Sequence, residues 1–242
     1  MKQTLKFRRL KMRPTRNNNS RAQSAVFRSQ SIIATNKVLR NTYFLLSLTL
    51  IFSAFTAFIA MSSNAMPMNP IMLLVGYFAL LFGVNACRNN VFGIVLTFAL
   101  TGLLGYSIGP LLNFYIKTFS NGSELILMAL GSTGLIFLCL SAFALNPNRN
   151  LLSWGRCLFI GAMVIFITSL VNMFFLQLPA LQVAISLVFA CISGGIIMWQ
   201  TNMIVHGGER NYITATVTLY VSLFNIFITL LQIFGMFGGD RR

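Results

Sequence analysis

The chain has 242 residues, of which 56% are hydrophobic and only 9% charged. A soluble domain carries about 25% charged residues, so an ordinary soluble domain is excluded. The net charge of +15 would suit nucleic acid, but the basic residues crowd before residue 41 and then sit between apolar runs, the pattern of a membrane protein.

Residues 1–40 read "MKQTLKFRRLKMRPTRNNNSRAQSAVFRSQSIIATNKVLR". Basic, rich in Asn, Ser and Gln and free of acid, they are expected to form a disordered cytoplasmic tail. The same composition has something of a mitochondrial transit peptide, kept as a minor alternative. The stretch "LKFRRLKM" also suits anionic lipid, each Lys or Arg contributing about 1 kcal/mol near a charged surface.

Residues 41–242 form a second unit, a transmembrane domain of seven apolar segments. They cover 42–61, 70–86, 91–115, 124–145, 151–175, 179–204 and 213–237. Most are near the roughly 20 residues that span a bilayer core. They do not alternate apolar with polar as barrel strands do. The class is therefore an all-α polytopic membrane protein with seven transmembrane helices. Turn residues separate the segments, as in "NAMPMNP", "CRNN", "KTFSNGS", "NPNRN", "QLP" and "HGGERN". With the tail in the cytoplasm, the loops holding Arg88, Arg149, Arg156 and Arg210 are also inside. Of 18 basic residues, 15 then lie inside and 3 outside, which satisfies the positive-inside rule. The C-terminus is expected outside, with the last segment a full span and not a re-entrant loop.

The third segment contains "GLLGYSIGPLLNFY". Gly102, Gly105 and Gly109 allow a neighbouring helix to approach closely. Pro110 is expected to bend or break the helix, so Gly109 and Pro110 mark a candidate helix break. "GSTG" at 131–134 is expected to give close approach in the fourth segment.

The last two segments carry polar seams. Thr214, Thr218, Ser222, Asn225, Thr229 and Gln232 fall within an arc of about 80° on a helix. Gln182, Ser186, Ser193 and Gln200 share a narrower arc. Polar side chains in hydrocarbon face protein or water and not lipid. The two seams should meet, with Gln200, Ser193, Ser222, Asn225, Thr218 and Thr229 as the candidate polar core. Two readings stand: hydrogen bonds between packed helices, or a hydrated path for an ion. Against conduction, none of the three acidic residues, Glu124, Glu209 and Asp240, lies at mid-membrane.

Catalytic chemistry finds no foothold. The single histidine, His206, and Glu209 share the turn "HGGERNY", with no third metal ligand and no HExxH motif. No nucleophile has a base at a readable spacing. Cys87, Cys139, Cys157 and Cys191 form no CxxC pair and read as reduced packing residues. No catalytic residue, metal or cofactor is expected, and the chain reads as a non-enzyme.

Several stretches carry a resemblance. "KVLRNTYFLLSLTL", "GYSIGPLLNFY", "MALGSTGLIFLCLSAF", "FFLQLPALQVAIS" and "IVHGGERNYITATVTLYVSLFNIFITLLQIFG" resemble, in order, the Bax-inhibitor/YccA family of seven-helix membrane proteins. The resemblance covers residue 35 to the end and is strongest to the bacterial YccA branch. It implies six helices around a central seventh, a bacterial inner-membrane location, and modulation of the membrane AAA protease FtsH as partner. On that reading Arg8, Arg9, Lys11, Arg13 and Arg16 are candidate partner-binding residues of the tail. Calcium-leak members of the wider family carry paired aspartates in helices six and seven. The matching positions here are Gln200 and Ser222, which cannot titrate near neutral pH. This departure counts against a pH-gated cation leak of calcium or protons. A hydrogen bond between the two neutral residues would still lock the helices together.

Overall fold

A computed structural model describes residues 16–146 and 151–238, with side chains from Lys37 onward. Seven α-helices follow in chain order: α1 (Arg16–Ser62), α2 (Pro70–Ala86), α3 (Val91–Thr118), α4 (Gly122–Ala144), α5 (Trp154–Val171), α6 (Pro179–Val205) and α7 (Tyr212–Phe237). A π-helical turn, Asn172–Leu176, extends α5 toward α6. Six of these elements are long and apolar enough to cross a bilayer, counting Lys37–Ser62 of α1 and Trp154–Leu176 as spans. The shortest helix, α2, with 17 residues, sits at the lower end of the spanning range. The protein is an all-α membrane protein.

Helix starts follow local chemistry. Asn69 caps α2 through its side chain, with Pro70 at the first helical position. Asn211 caps α7, accepting from Ile213 N and Thr214 N. α1 begins at Arg16, inside the stretch read as a tail, and no Gly or Pro interrupts it before Ser62. Residue 40 is therefore not a helix boundary. Arg8, Arg9, Lys11 and Arg13 lie outside the described residues, as does the side chain of Arg16.

α7 is the centre of the bundle. It packs against α1, α2, α3, α4 and α6, while α5 packs on α6. Half of α7's most apolar window is buried, against 6% for the α5 span. One face of α7 contributes Leu219, Tyr220, Leu223 and Ile226 to the main apolar core, with Leu45 and Leu46 of α1 and Leu100 and Leu104 of α3. Tyr220 anchors this face with a polar tip. Its hydroxyl meets Ser53 Oγ of α1 at 2.5 Å and donates to Thr101 O of α3 at 3.2 Å.

Charge sorts the two ends. Asn211 Nδ2 donates to Arg88 O at 2.8 Å, so the α2–α3 and α6–α7 turns share one end. Thr216 Oγ1 donates to Thr42 O, which brings the start of the α1 span to the same end. Leu151 N, just before α5, donates to Asn202 Oδ1 near the end of α6, so Lys37, Arg40, Arg88, Arg156 and Arg210 gather there. At the opposite end Lys117 Nζ donates to Asn64 Oδ1 at 2.8 Å, and Asn121 Nδ2 donates to Gly238 O at 2.7 Å.

Two glycine expectations separate. α3 packs on α1 through Gly102, Gly105 and Gly109. A Cβ at Gly105 would overlap Ser53 O, Ser53 Oγ and Thr56 Oγ1, and one at Gly109 would overlap Ala60 Cβ. This close packing carries α3 unbroken through Pro110, so no helix break forms at Gly109 and Pro110. A proline in a membrane helix is tolerated where neighbours hold the backbone. Gly131 and Gly134 of α4 behave oppositely: among the described residues a Cβ at either meets nothing within 4 Å. The close approach expected at "GSTG" is therefore not made by the described residues.

Gly105→Val should therefore lower the thermal unfolding midpoint in detergent, an overpacking cost of about 1–3 kcal/mol. Gly131→Ala should leave it unchanged or slightly raised. Equal losses from both substitutions would contradict this packing.

Candidate functional site in the polar core of α6 and α7

The seams predicted on α6 and α7 do meet. Asn225 Nδ2 donates to Ser193 Oγ at 3.4 Å. One turn further out, Thr229 Oγ1 shares its hydrogen between Asn225 O of its own helix at 2.9 Å and Ser186 O of α6 at 3.1 Å. Two antiparallel rungs thus tie the helices together. Two further hydroxyls look inward to their own helix, Thr218 donating to Thr214 O and Ser222 to Thr218 O, whereas Thr214 Oγ1 has no hydrogen-bond partner among the described residues. Such bonds to the carbonyl four residues back keep a hydroxyl satisfied in hydrocarbon.

Gln200 does not act as expected. It is 2% exposed, yet its Nε2 has no hydrogen-bond partner among the described residues. Continuing the register of the two rungs places it opposite the α7 turn that begins at Thr218. Ser222 has given its hydrogen to Thr218 O, and no bond joins Gln200 to Ser222. The lock between these neutral residues does not form.

The seam also borders a cavity of about 220 Å³. Tyr77, Leu81 and Asn85 of α2, Ala162 of α5, Phe189 and Ile196 of α6 and Thr214, Thr218, Ser222 and Asn225 of α7 line it. No charged residue is among the lining. Among the described residues no group of three or more His, Cys, Asp and Glu could hold a metal ion.

The turn that holds His206 and Glu209 is built as a joint. Glu209 Oε1 accepts from Asn211 N at 2.8 Å, and His206 Nδ1 lies 2.9 Å from Asn202 O. Gly207 takes a φ of 71°, the left-handed region that favours glycine at a helix end. Through Asn211 this joint reaches Arg88 O and Asn89 Oδ1.

Two asparagines outside the predicted seams matter more than Gln200. Asn202 is fully buried. Its Oδ1 accepts from Leu151 N at 2.9 Å and its Nδ2 donates to Ala144 O at 3.2 Å. It therefore clamps the end of α4 to the approach to α5. Asn172, also buried, staples the π-helical turn: its Oδ1 accepts from Leu178 N and its Nδ2 donates to Gln182 Oε1. The available signal was angular. Asn202 stands about 200° around the helix from Gln200, so a polar residue on both faces of α6 marks a second contact.

A charge-sorted helical bundle with a central, polar-seamed helix defines a class of multi-pass membrane protein. Residues 35–239 match the family described as Bax1-I, inhibitor of apoptosis-promoting Bax1, and the chain belongs to that family. It is 49% identical over 212 residues to the Modulator of FtsH protease YccA of Escherichia coli K12, covering 87% of this chain and 94% of that protein. The counterpart in Escherichia coli O6:H1, at the same identity, is called an inner membrane protein. A membrane protein of Vibrio cholerae is 40% identical, covering 86% of this chain and 93% of that protein.

Gln200 and Asn202 make opposed predictions. Gln200→Leu should leave the unfolding midpoint nearly unchanged, because an unpaired amide is exchanged for an apolar side chain. Asn202→Leu strands Leu151 N and Ala144 O, at about 1–3 kcal/mol for each group, and should lower it clearly. Thermal unfolding of both variants in one detergent checks the contrast.

Proposed function

We propose that this chain is an inner-membrane interaction protein that binds FtsH and modulates its proteolysis of membrane proteins. The observation that carries the reading is 49% identity over nearly the whole length of a named FtsH modulator. The protein would act in membrane-protein quality control as a regulator of the protease and not as an enzyme.

The orientation that fits has the N-terminus in the cytoplasm and the C-terminus in the periplasm. Lys37, Arg40, Arg88, Arg156 and Arg210 gather at the end that would face inward, and Lys117 at the other. The basic stretch that includes Arg8, Arg9, Lys11, Arg13 and Arg16 is the element proposed to engage FtsH, with anionic lipid as a second surface for its charges. An AAA protease pulls on a loose end, and a tightly packed bundle resists extraction behind it. A cation leak through the seam is the weaker reading. The cavity lining carries no carboxylate, and intramembrane cation sites generally depend on one.

Co-purification from native membranes should recover FtsH with the full chain. Deleting residues 2–35 should weaken that recovery and slow the protein's own turnover. Unchanged binding and turnover would remove the tail from the mechanism, and failure to recover FtsH at all would remove the proposed function. In liposomes the native chain should pass no calcium or protons, whereas pH-dependent flux confined to Gln200→Asp/Ser222→Asp would point to a lost channel.

A further inference from the structure

The cavity beside the α7 seam has a particular chemistry. Thr218 and Ser222 have committed their hydroxyl hydrogens to carbonyls of their own helix. Toward the cavity they offer oxygen lone pairs. Asn225 directs its amide nitrogen at Ser193, which leaves its carboxamide oxygen as a further acceptor. The lining at this depth offers these three acceptors beside the hydroxyl of Thr214, which has no hydrogen-bond partner among the described residues, and it carries no charge. Such a surface suits a neutral side chain that donates hydrogen bonds and can also accept one, as a carboxamide does. A free cation would leave water for a site with no carboxylate to offset its desolvation.

The cavity wall on the side away from α7 is thin. The outer walls are α2 and α5, the two lightly held helices. Val84 is the one buried residue in α2, and α5 has none. Between them Phe78 and Phe166 meet edge to face, with centroids 5.7 Å apart at 78°. This ring pair lies about one helical turn outward of Leu81 and Ala162, which line the cavity. The rings thus act as a latch at the outer end of a seam between two helices that face the bilayer. Thr218 and Asn225 lie about 9 and 20 Å along α7 from Tyr212, in the inner half of the span.

The geometry points to a lateral docking site for a transmembrane segment of another membrane protein. That segment presents an uncharged hydrogen-bond-donating side chain, such as the amide of Asn or Gln, in the inner half of the bilayer. The donor passes between α2 and α5 and bonds to Thr218, Ser222 and Asn225. In hydrocarbon a polar side chain without a partner is costly, so the site selects segments whose polar group is unpaired. This inference stands whether or not the chain binds FtsH.

The test uses the full chain in liposomes with synthetic single-span peptides. One peptide is Leu-rich throughout. The other carries a single Asn about 10–20 Å from the end that faces the α6–α7 turn. Both hold a photoreactive Leu beside that position. The Asn peptide should cross-link to α2 and α5 about five- to ten-fold more than the Leu peptide, the discrimination one interhelical hydrogen bond supplies. Thr218→Val should reduce the preference, and Thr218→Val/Asn225→Leu should abolish it. A lock made from Leu81→Cys/Ala162→Cys, with the four native cysteines replaced, should block capture when oxidised and restore it on reduction. The locked protein is its own control for folding. Equal capture of both peptides would overturn the proposal, as would Asn-dependent capture that maps to α1 or α4, or capture that persists in the oxidised lock. Seam-dependent cation flux without any peptide preference would also overturn it.

Discussion

Lipid offers no hydrogen bonds, and α7 carries Thr214, Thr218, Ser222, Asn225, Thr229 and Gln232 down one side. That single fact constrains the whole bundle. A helix with this stripe cannot lie at the lipid surface, so it becomes the central helix. Its apolar face then packs on α1, α3 and α4, and its polar face on α6. The arrangement divides labour by angle. Tyr220 joins the two regimes, filling the apolar core while its hydroxyl ties Ser53 and Thr101.

Much of this was legible because hydropathy and turn residues speak directly to membrane insertion. Helix bounds from α2 to α7 fall within a few residues of the apolar segments, and the seams on α6 and α7 face one another. What was hidden depended on partners. Gly105 and Gly131 are the same residue in similar apolar surroundings, yet one is pressed against Ser53 and the other faces open space. Pro110 was expected to disturb α3, but packing against α1 keeps the helix continuous. Gln200 drew attention through its place in the seam, whereas Asn202 makes the contacts, because its face meets the end of α4. Sequence periodicity locates a polar residue on a helix without saying which carbonyl lies across from it.

Family membership and physical reading support each other without duplicating. The match to the Bax1-I family spans residues 35–239, essentially the bundle. The identity to a named protease modulator supports a proposed partner that no side chain announces. The structure contributes something the name does not: an interior with neutral polar groups and a thinly walled approach to them. An uncharged polar cavity inside the bilayer is one chemistry by which a membrane protein can recognise the segments of another.

The centre of this bundle is also the last of its seven helices in chain order. During synthesis, α1 through α6 enter the membrane before the element that joins them exists. The Ser193 and Ser186 groups then await their partners on α7, and Tyr220 is not yet between α1 and α3. A chain shortened before α7 would be a ring without an axle, its polar groups turned to lipid. The contacts that α7 makes with the other helices can therefore form only after the rest of the bundle has been synthesised.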